Sequence, residues 1–65
     1  MITVRIEPDN EVKTLEKINT TQQLLTRLNL LSTQALIIRG EELLTPDRRI
    51  GQGDELVVRK VVSLG

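Results

Sequence analysis

The chain has 65 residues, nine basic and nine acidic, with no cysteine, no histidine and no aromatic side chain. That composition excludes disulfides, ordinary zinc sites, and Cys–His or Ser–His nucleophilic arrangements. It also lacks the basic tract and the stacking surfaces on which nucleic-acid binding rests, and it leaves one small domain whose core must come from Ile, Leu and Val.

Ile2-Thr3-Val4-Arg5-Ile6 alternates apolar and polar residues and predicts a strand with one buried face. Pro8-Asp9-Asn10 marks a turn, and Glu11 to Leu15 is expected to return as a second strand with Val12 and Leu15 as its apolar residues. Thr20 with Gln23 three residues later fits a capping box. Leu24, Leu25, Leu28 and Leu31 then recur at helical spacing as one core-facing stripe, with Gln22, Gln23 and Arg27 toward water. Asn29 and Ser32-Thr33 mark the helix end. Ala35-Leu36-Ile37-Ile38-Arg39 predicts a third strand, Gly40-Glu41 a turn, and Glu42-Leu43-Leu44 a short edge strand. After turns at Thr45-Pro46-Asp47 and Gly51-Gln52-Gly53-Asp54, Leu56 to Val61 predicts the last strand.

Two strands, a helix and three more strands predict an α+β domain: a mixed sheet with one helix packed across one face. The helix-bearing connection is expected to be right-handed. The apolar last strand belongs in the middle of the sheet, beside the first, which is the arrangement of a β-grasp (ubiquitin-like) roll. The domain is expected to span 1–65, with 61–65 as a flexible C-terminal tail.

Period-two geometry turns Ile2, Val4 and Ile6 inward, as it does Leu56 and Val58. The third strand is expected to bury Leu36 and Ile38. Arg5, Ile37, Arg39, Val57 and Arg59 then gather on the open face of the sheet, where two apolar residues among three arginines suit a docking patch. The alternative is a plain solvated sheet surface, since single exposed apolar residues are normal. Thr14 and Thr45 have no base to activate them, and Lys60 and Arg48-Arg49 read as solvated surface. Scattered carboxylates in so small a chain frame no cleft, so no catalytic residue, metal site or bound cofactor of its own is expected. No segment approaches the ~20 apolar residues of a membrane span, and no signal peptide is evident. The lack of cysteine points to an intracellular, cytoplasmic setting.

The chain resembles the ThiS/MoaD family of small sulfur-carrier proteins along its whole length, most strongly from Ala35 to Gly65. Ala35-Leu36-Ile37-Ile38-Arg39-Gly40-Glu41 looks like the family's apolar strand closing on a Gly-acid turn. Gly53-Asp54-Glu55-Leu56 looks like its Gly-Asp-Glu loop, and Val61-Val62-Ser63 like its apolar-Ser tail. Counted from Asp54, Gly65 stands at the family's terminal glycine. Arg39-Gly40-Glu41-Glu42-Leu43-Leu44-Thr45 also looks like members that serve tRNA thiolation.

The resemblance implies that a ubiquitin-activating-type enzyme uses ATP to adenylate the Gly65 carboxylate. A sulfur donor of the cysteine desulfurase or rhodanese type then converts it to a thiocarboxylate. A sulfur-accepting synthase takes the sulfur for the thiazole of thiamin, for molybdopterin or for a tRNA base. An ionised α-carboxylate needs no base to attack phosphorus. Glycine's lack of a Cβ allows close approach in a narrow channel. Val61, Val62, Ser63, Leu64 and Gly65, if extended, reach roughly 17 Å. Leu64 departs from the family's Gly-Gly end. Three explanations stay open: a wider channel in the partner, an altered or trimmed end, or loss of carrier chemistry with binding retained. Rival functions are therefore a ubiquitin-like modifier joined to protein lysines and a non-covalent interaction module.

Overall fold

Strand β1 (Ile2–Glu7) follows its alternation, with Ile2, Val4 and Ile6 buried and Arg5 exposed. The computed structural model describes residues 1–7 and 9–61; Pro8 of the expected turn and residues 62–65 of the expected tail lie outside them. β2 (Glu11–Leu15) returns antiparallel, placing Glu11 opposite Ile6 and Leu15 opposite Ile2. Asn10 leads into it at φ 55°, a left-handed conformation that Asn adopts more readily than most residues.

Helix α1 (Thr21–Arg27) begins with the expected capping box. The Thr20 hydroxyl accepts the Gln23 N–H, and the Gln23 side chain accepts the Thr20 N–H. The first two helical N–H groups find partners in a distant loop: Thr21 donates to the Arg48 carbonyl at 3.0 Å and Gln22 to the Pro46 carbonyl at 2.9 Å. The fully buried Thr21 hydroxyl also donates to the Arg48 carbonyl, at 3.2 Å. No orphan donor remains at this end, so the short helix is anchored to the turn across from it.

At the other end Asn29 takes φ 61°, the Leu30 N–H donates back to the Leu25 carbonyl at 2.9 Å, and the Asn29 N–H donates to Thr26 at 3.0 Å. This Schellman arrangement stops the helix after Leu28. It corrects the expected leucine stripe. Leu31 falls past the stop and is 65% exposed, while Leu28 and Leu30 pack half-buried against the core.

β3 (Ala35–Arg39) and β4 (Glu42–Leu44) form a hairpin whose two-residue loop has Gly40 alone at positive φ, 63°, as a type II′ turn requires. A turn closed by Arg48 N–H to Thr45 carbonyl (3.1 Å), with Pro46 at its second position, leads toward a second turn at Gly51–Asp54. There Gly53 sits at φ 86° in the third position, where a type II turn needs glycine. β5 (Glu55–Lys60) follows directly.

The sheet order is β2-β1-β5-β3-β4, with β1 and β5 parallel and the other neighbours antiparallel. This is the expected mixed sheet: an α+β, β-grasp-like fold with the last strand central beside the first. The core lies between one sheet face and α1. Val4, Leu24, Leu25, Ile37 and Val58 are its most deeply buried apolar residues. Each such side chain, fully buried, contributes about 1.5–3 kcal/mol.

In β3 the expected inward and outward positions are exchanged. Ile37 is 2% exposed and belongs to the core, whereas Leu36 is 40% exposed and Ile38 half-buried. Ala35 to Ile38 is uniformly apolar and carries no alternation from which to read a phase. Pairing decides it instead: Ile37 lies opposite buried Val58 and buried Leu44. A one-residue difference in register sends every side chain to the other face. Ile37 and Arg39 are therefore not on the open face.

A candidate docking face on the open side of the sheet

The side of the sheet away from α1 is built from four registers that coincide. Val12 of β2 pairs with Arg5 of β1, Arg5 with Val57 of β5, Val57 with Ile38 of β3, and Ile38 with Leu43 of β4. One residue from every strand thus stands in a single lateral row, Val12–Arg5–Val57–Ile38–Leu43. Val12 and Leu43, at its two ends, are 58% and 57% exposed, and Ile38 and Val57 are half-buried. To one side lies a second row, Glu7–Arg59–Leu36, in which Arg59 Nε donates to Glu7 Oε1 at 3.1 Å. To the other lies Thr14–Thr3–Glu55. A shallow depression of about 350 Å³ opens beside the first row, lined by Thr3, Arg5, Val12, Glu55 and Val57 among others.

Of the residues expected on this face, Arg5, Val57 and Arg59 are on it. Arg5 is exposed and makes no ion pair among the described residues. Ile37 is replaced by its neighbours Leu36 and Ile38. Arg39 shares the parity of Ile37 and turns to the helix side at the strand's end. Its Nη1 donates to Asp54 Oδ2 at 3.2 Å and to the Arg49 carbonyl at 3.3 Å, and its Nη2 donates to Glu42 Oε1 at 3.3 Å. Arg39 is thus a clasp holding the end of β3 to the loop that precedes β5. Asp54, which also accepts the Gly51 N–H at 2.9 Å, completes that clasp.

Leu36, Ile38, Leu43 and Val12 are face residues that sequence reasoning missed. Val12 carried the one usable signal, being the lone apolar residue between Glu11 and Lys13 in an exposed strand.

Two carboxyl groups are shifted, both off this face. Hydrogen bonds from Arg48 and then Arg39 hold the Glu42 carboxyl below its ordinary value. The Thr45 hydroxyl, followed by the residue's own N–H, does the same for Asp47. No group of three or more acidic side chains among the described residues is placed to hold a metal ion. Among the same residues, no helix is long and apolar enough to cross a membrane.

β5 hands the chain to Val61, an exposed residue whose N–H donates to the Gln34 carbonyl at 2.8 Å. Val62, Ser63, Leu64 and Gly65 of the expected tail lie outside the described residues. The chain matches no family model and no curated protein.

Proposed function

We propose that this chain is a sulfur carrier working through the carboxylate of Gly65. In a ubiquitin-activating-type partner that carboxylate attacks the α-phosphorus of ATP, pyrophosphate departs, and an acyl-adenylate forms. The terminal sulfur of a persulfide on a donor of the cysteine desulfurase or rhodanese type then attacks the carbonyl carbon and AMP leaves; a partner thiol reduces the resulting acyl disulfide, becoming a disulfide itself, and a thiocarboxylate remains for a sulfur-accepting synthase. The acceptor is a thiazole, molybdopterin or tRNA pathway; the carrier presents the terminus and the synthase brings the acceptor. The chain is a co-substrate in this scheme, with ATP bound by its partner.

The observation that carries the reading is the position of β5. It is the central strand, flanked by β1 and β3, and the strand that contributes Val57 to the apolar row is the one that runs on toward the C-terminus. A partner seated on that face is well placed to receive the segment that follows. Arg5, Val57 and Arg59, with Leu36, Ile38 and Leu43, are the residues that would dock it.

The test is intact mass spectrometry of the protein isolated from its own cells. The expected species has one oxygen replaced by sulfur, localised to Gly65. A native chain extended by a glycine accounts for the Leu64-Gly65 end as a trimmed one; a chain that ends at Gly65 and stays unchanged with ATP, activating enzyme and sulfur donor overturns the proposal. Leu64 in place of the family's glycine favours a second reading, a non-covalent interaction module. A chain shortened to Ser63 that still binds its partner with unchanged affinity selects that module.

A further inference from the structure

The open face carries four cation or carboxylate side chains in its rows, and they are not equivalent. Arg59 is taken by Glu7, at 3.1 Å. Glu55 lines the depression beside Arg5, yet no ion pair joins them. Among the described residues Arg5 is left as the face's unpaired cation, and it stands within the apolar row, between Val12 and Val57. A guanidinium presents planar, paired donors that match a carboxylate, and one flanked by aliphatic side chains is poorly screened once a partner covers it.

The N-terminal half of β2 points the same way. Its charged residues Glu11 and Lys13 turn to the helix side, beyond the reach of the core, while its apolar Val12 is presented on the open side.

The size of the face sets the kind of contact. Strands of six, five, five, three and six residues give a planar area of roughly 400 Å². That is below the ~800 Å² per partner of a standard stable interface. A lasting sheet-to-sheet homodimer is poorly served by so little area. A transient partner, held by the row and by a charge contact, fits it.

We propose that Arg5 is the specificity residue of this docking face, and that the partner seats on it an apolar surface bearing one carboxylate aimed at the Arg5 guanidinium. The inference rests on the sulfur-carrier reading and names the chemistry by which the activating enzyme recognises its carrier. The carboxylate excludes partners that bring a lysine or arginine to the same position, since a like charge buried in an apolar row has no compensation.

The experiment is ATP–pyrophosphate exchange by the adenylating enzyme at increasing carrier concentration, with the full-length chain and its Arg5→Ala, Arg5→Lys and Arg5→Glu variants. Circular dichroism confirms that each variant is folded. For Arg5→Ala the KM for carrier rises roughly ten- to a hundredfold with kcat unchanged, the effect of losing one hydrogen bond to a charged group. Arg5→Lys recovers part of it. Arg5→Glu is worse than Arg5→Ala and is rescued by reversing one acidic residue of the enzyme. Lys17→Ala, on a loop away from the open face, leaves KM where it was. Exchange that Arg5→Glu leaves unaltered overturns this proposal alone. No exchange with the unmodified chain overturns the carrier reading and this proposal with it. Sedimentation showing a dimer that Leu43→Asp dissolves assigns the face to a second copy and overturns it as well.

Discussion

The two faces of the one sheet are made of the same residue types put to opposite use. On the helix side, Ile2, Val4, Ile6, Ile37, Leu56 and Val58 are all buried and meet Leu24 and Leu25 of α1. On the open side, Val12, Leu36 and Leu43 are exposed, Ile38 and Val57 half-buried, and nothing in the chain's described residues covers them. In a domain this small the first face supplies nearly all the folding free energy, because only there is apolar area removed from water. The second contributes little to stability and is free to be spent on binding. Adjacent residues in β3 therefore have unrelated duties, and hydrophobicity alone does not tell them apart.

The sharpest way to break that contrast is a pair of substitutions one residue apart. Ile37→Asp puts a carboxylate into the core without a partner and should cost more than about 3 kcal/mol, enough to unfold a domain of this size. Ile38→Asp, on the open face, should cost less than about 1 kcal/mol. Thermal melts followed by circular dichroism separate the two; similar losses in both variants would mean that the phase of β3 is not as described.

A middle-sized effect is expected at the helix start. Thr20→Ala removes the acceptor for the Gln23 N–H and should destabilise by about 1 kcal/mol, lowering Tm by about 4–8 °C. It should leave binding at the open face untouched, since α1 lies on the other side of the sheet. A change in partner affinity without a change in Tm would contradict this.

The smallest effect concerns acid. Arg48 and Arg39 hold the Glu42 carboxyl below its ordinary value of 4.5, so the unfolded chain takes up that proton at a higher pH than the folded one. Glu42 thus adds stability above 4.5, and the contribution fades as pH falls from there through its lowered folded value. Urea midpoints compared between about pH 5 and pH 3 should fall less steeply in Glu42→Gln than in the unaltered chain. Parallel slopes would show that the pair with Arg48 is too solvated to count.

Much of the fold was legible in the chain. The element order, the capping box at Thr20 and Gln23, the inward phase of β1 and β5, and the central place of β5 all follow from local pattern. Those segments alternate, carry a cap, or are apolar throughout where a central strand should be. The candidate site was legible only in part. Alternation places Arg5, Val57 and Arg59 on the open face, but the unbroken apolar run of β3 gives no phase, and Ile37 and Arg39 lie on the opposite side from the one expected. Leu31 also leaves its expected place in the core, because helical spacing continues in the letters after Asn29 has already turned the backbone left-handed.

From sequence alone came the secondary elements, the fold class and three residues of the open face, Arg5, Val57 and Arg59, because each rests on interactions among residues close in the chain or on a periodicity written into it. Only the tertiary structure decided the phase of β3, the diversion of Arg39 into a clasp with Asp54 and Glu42, and the alignment of Val12, Arg5, Val57, Ile38 and Leu43 into one row. The physical reason is that a strand of unbroken apolar residues can bury either side equally well. Its orientation is set by hydrogen-bond register with β4 and β5, and by which face α1 covers, and neither is written in the strand itself.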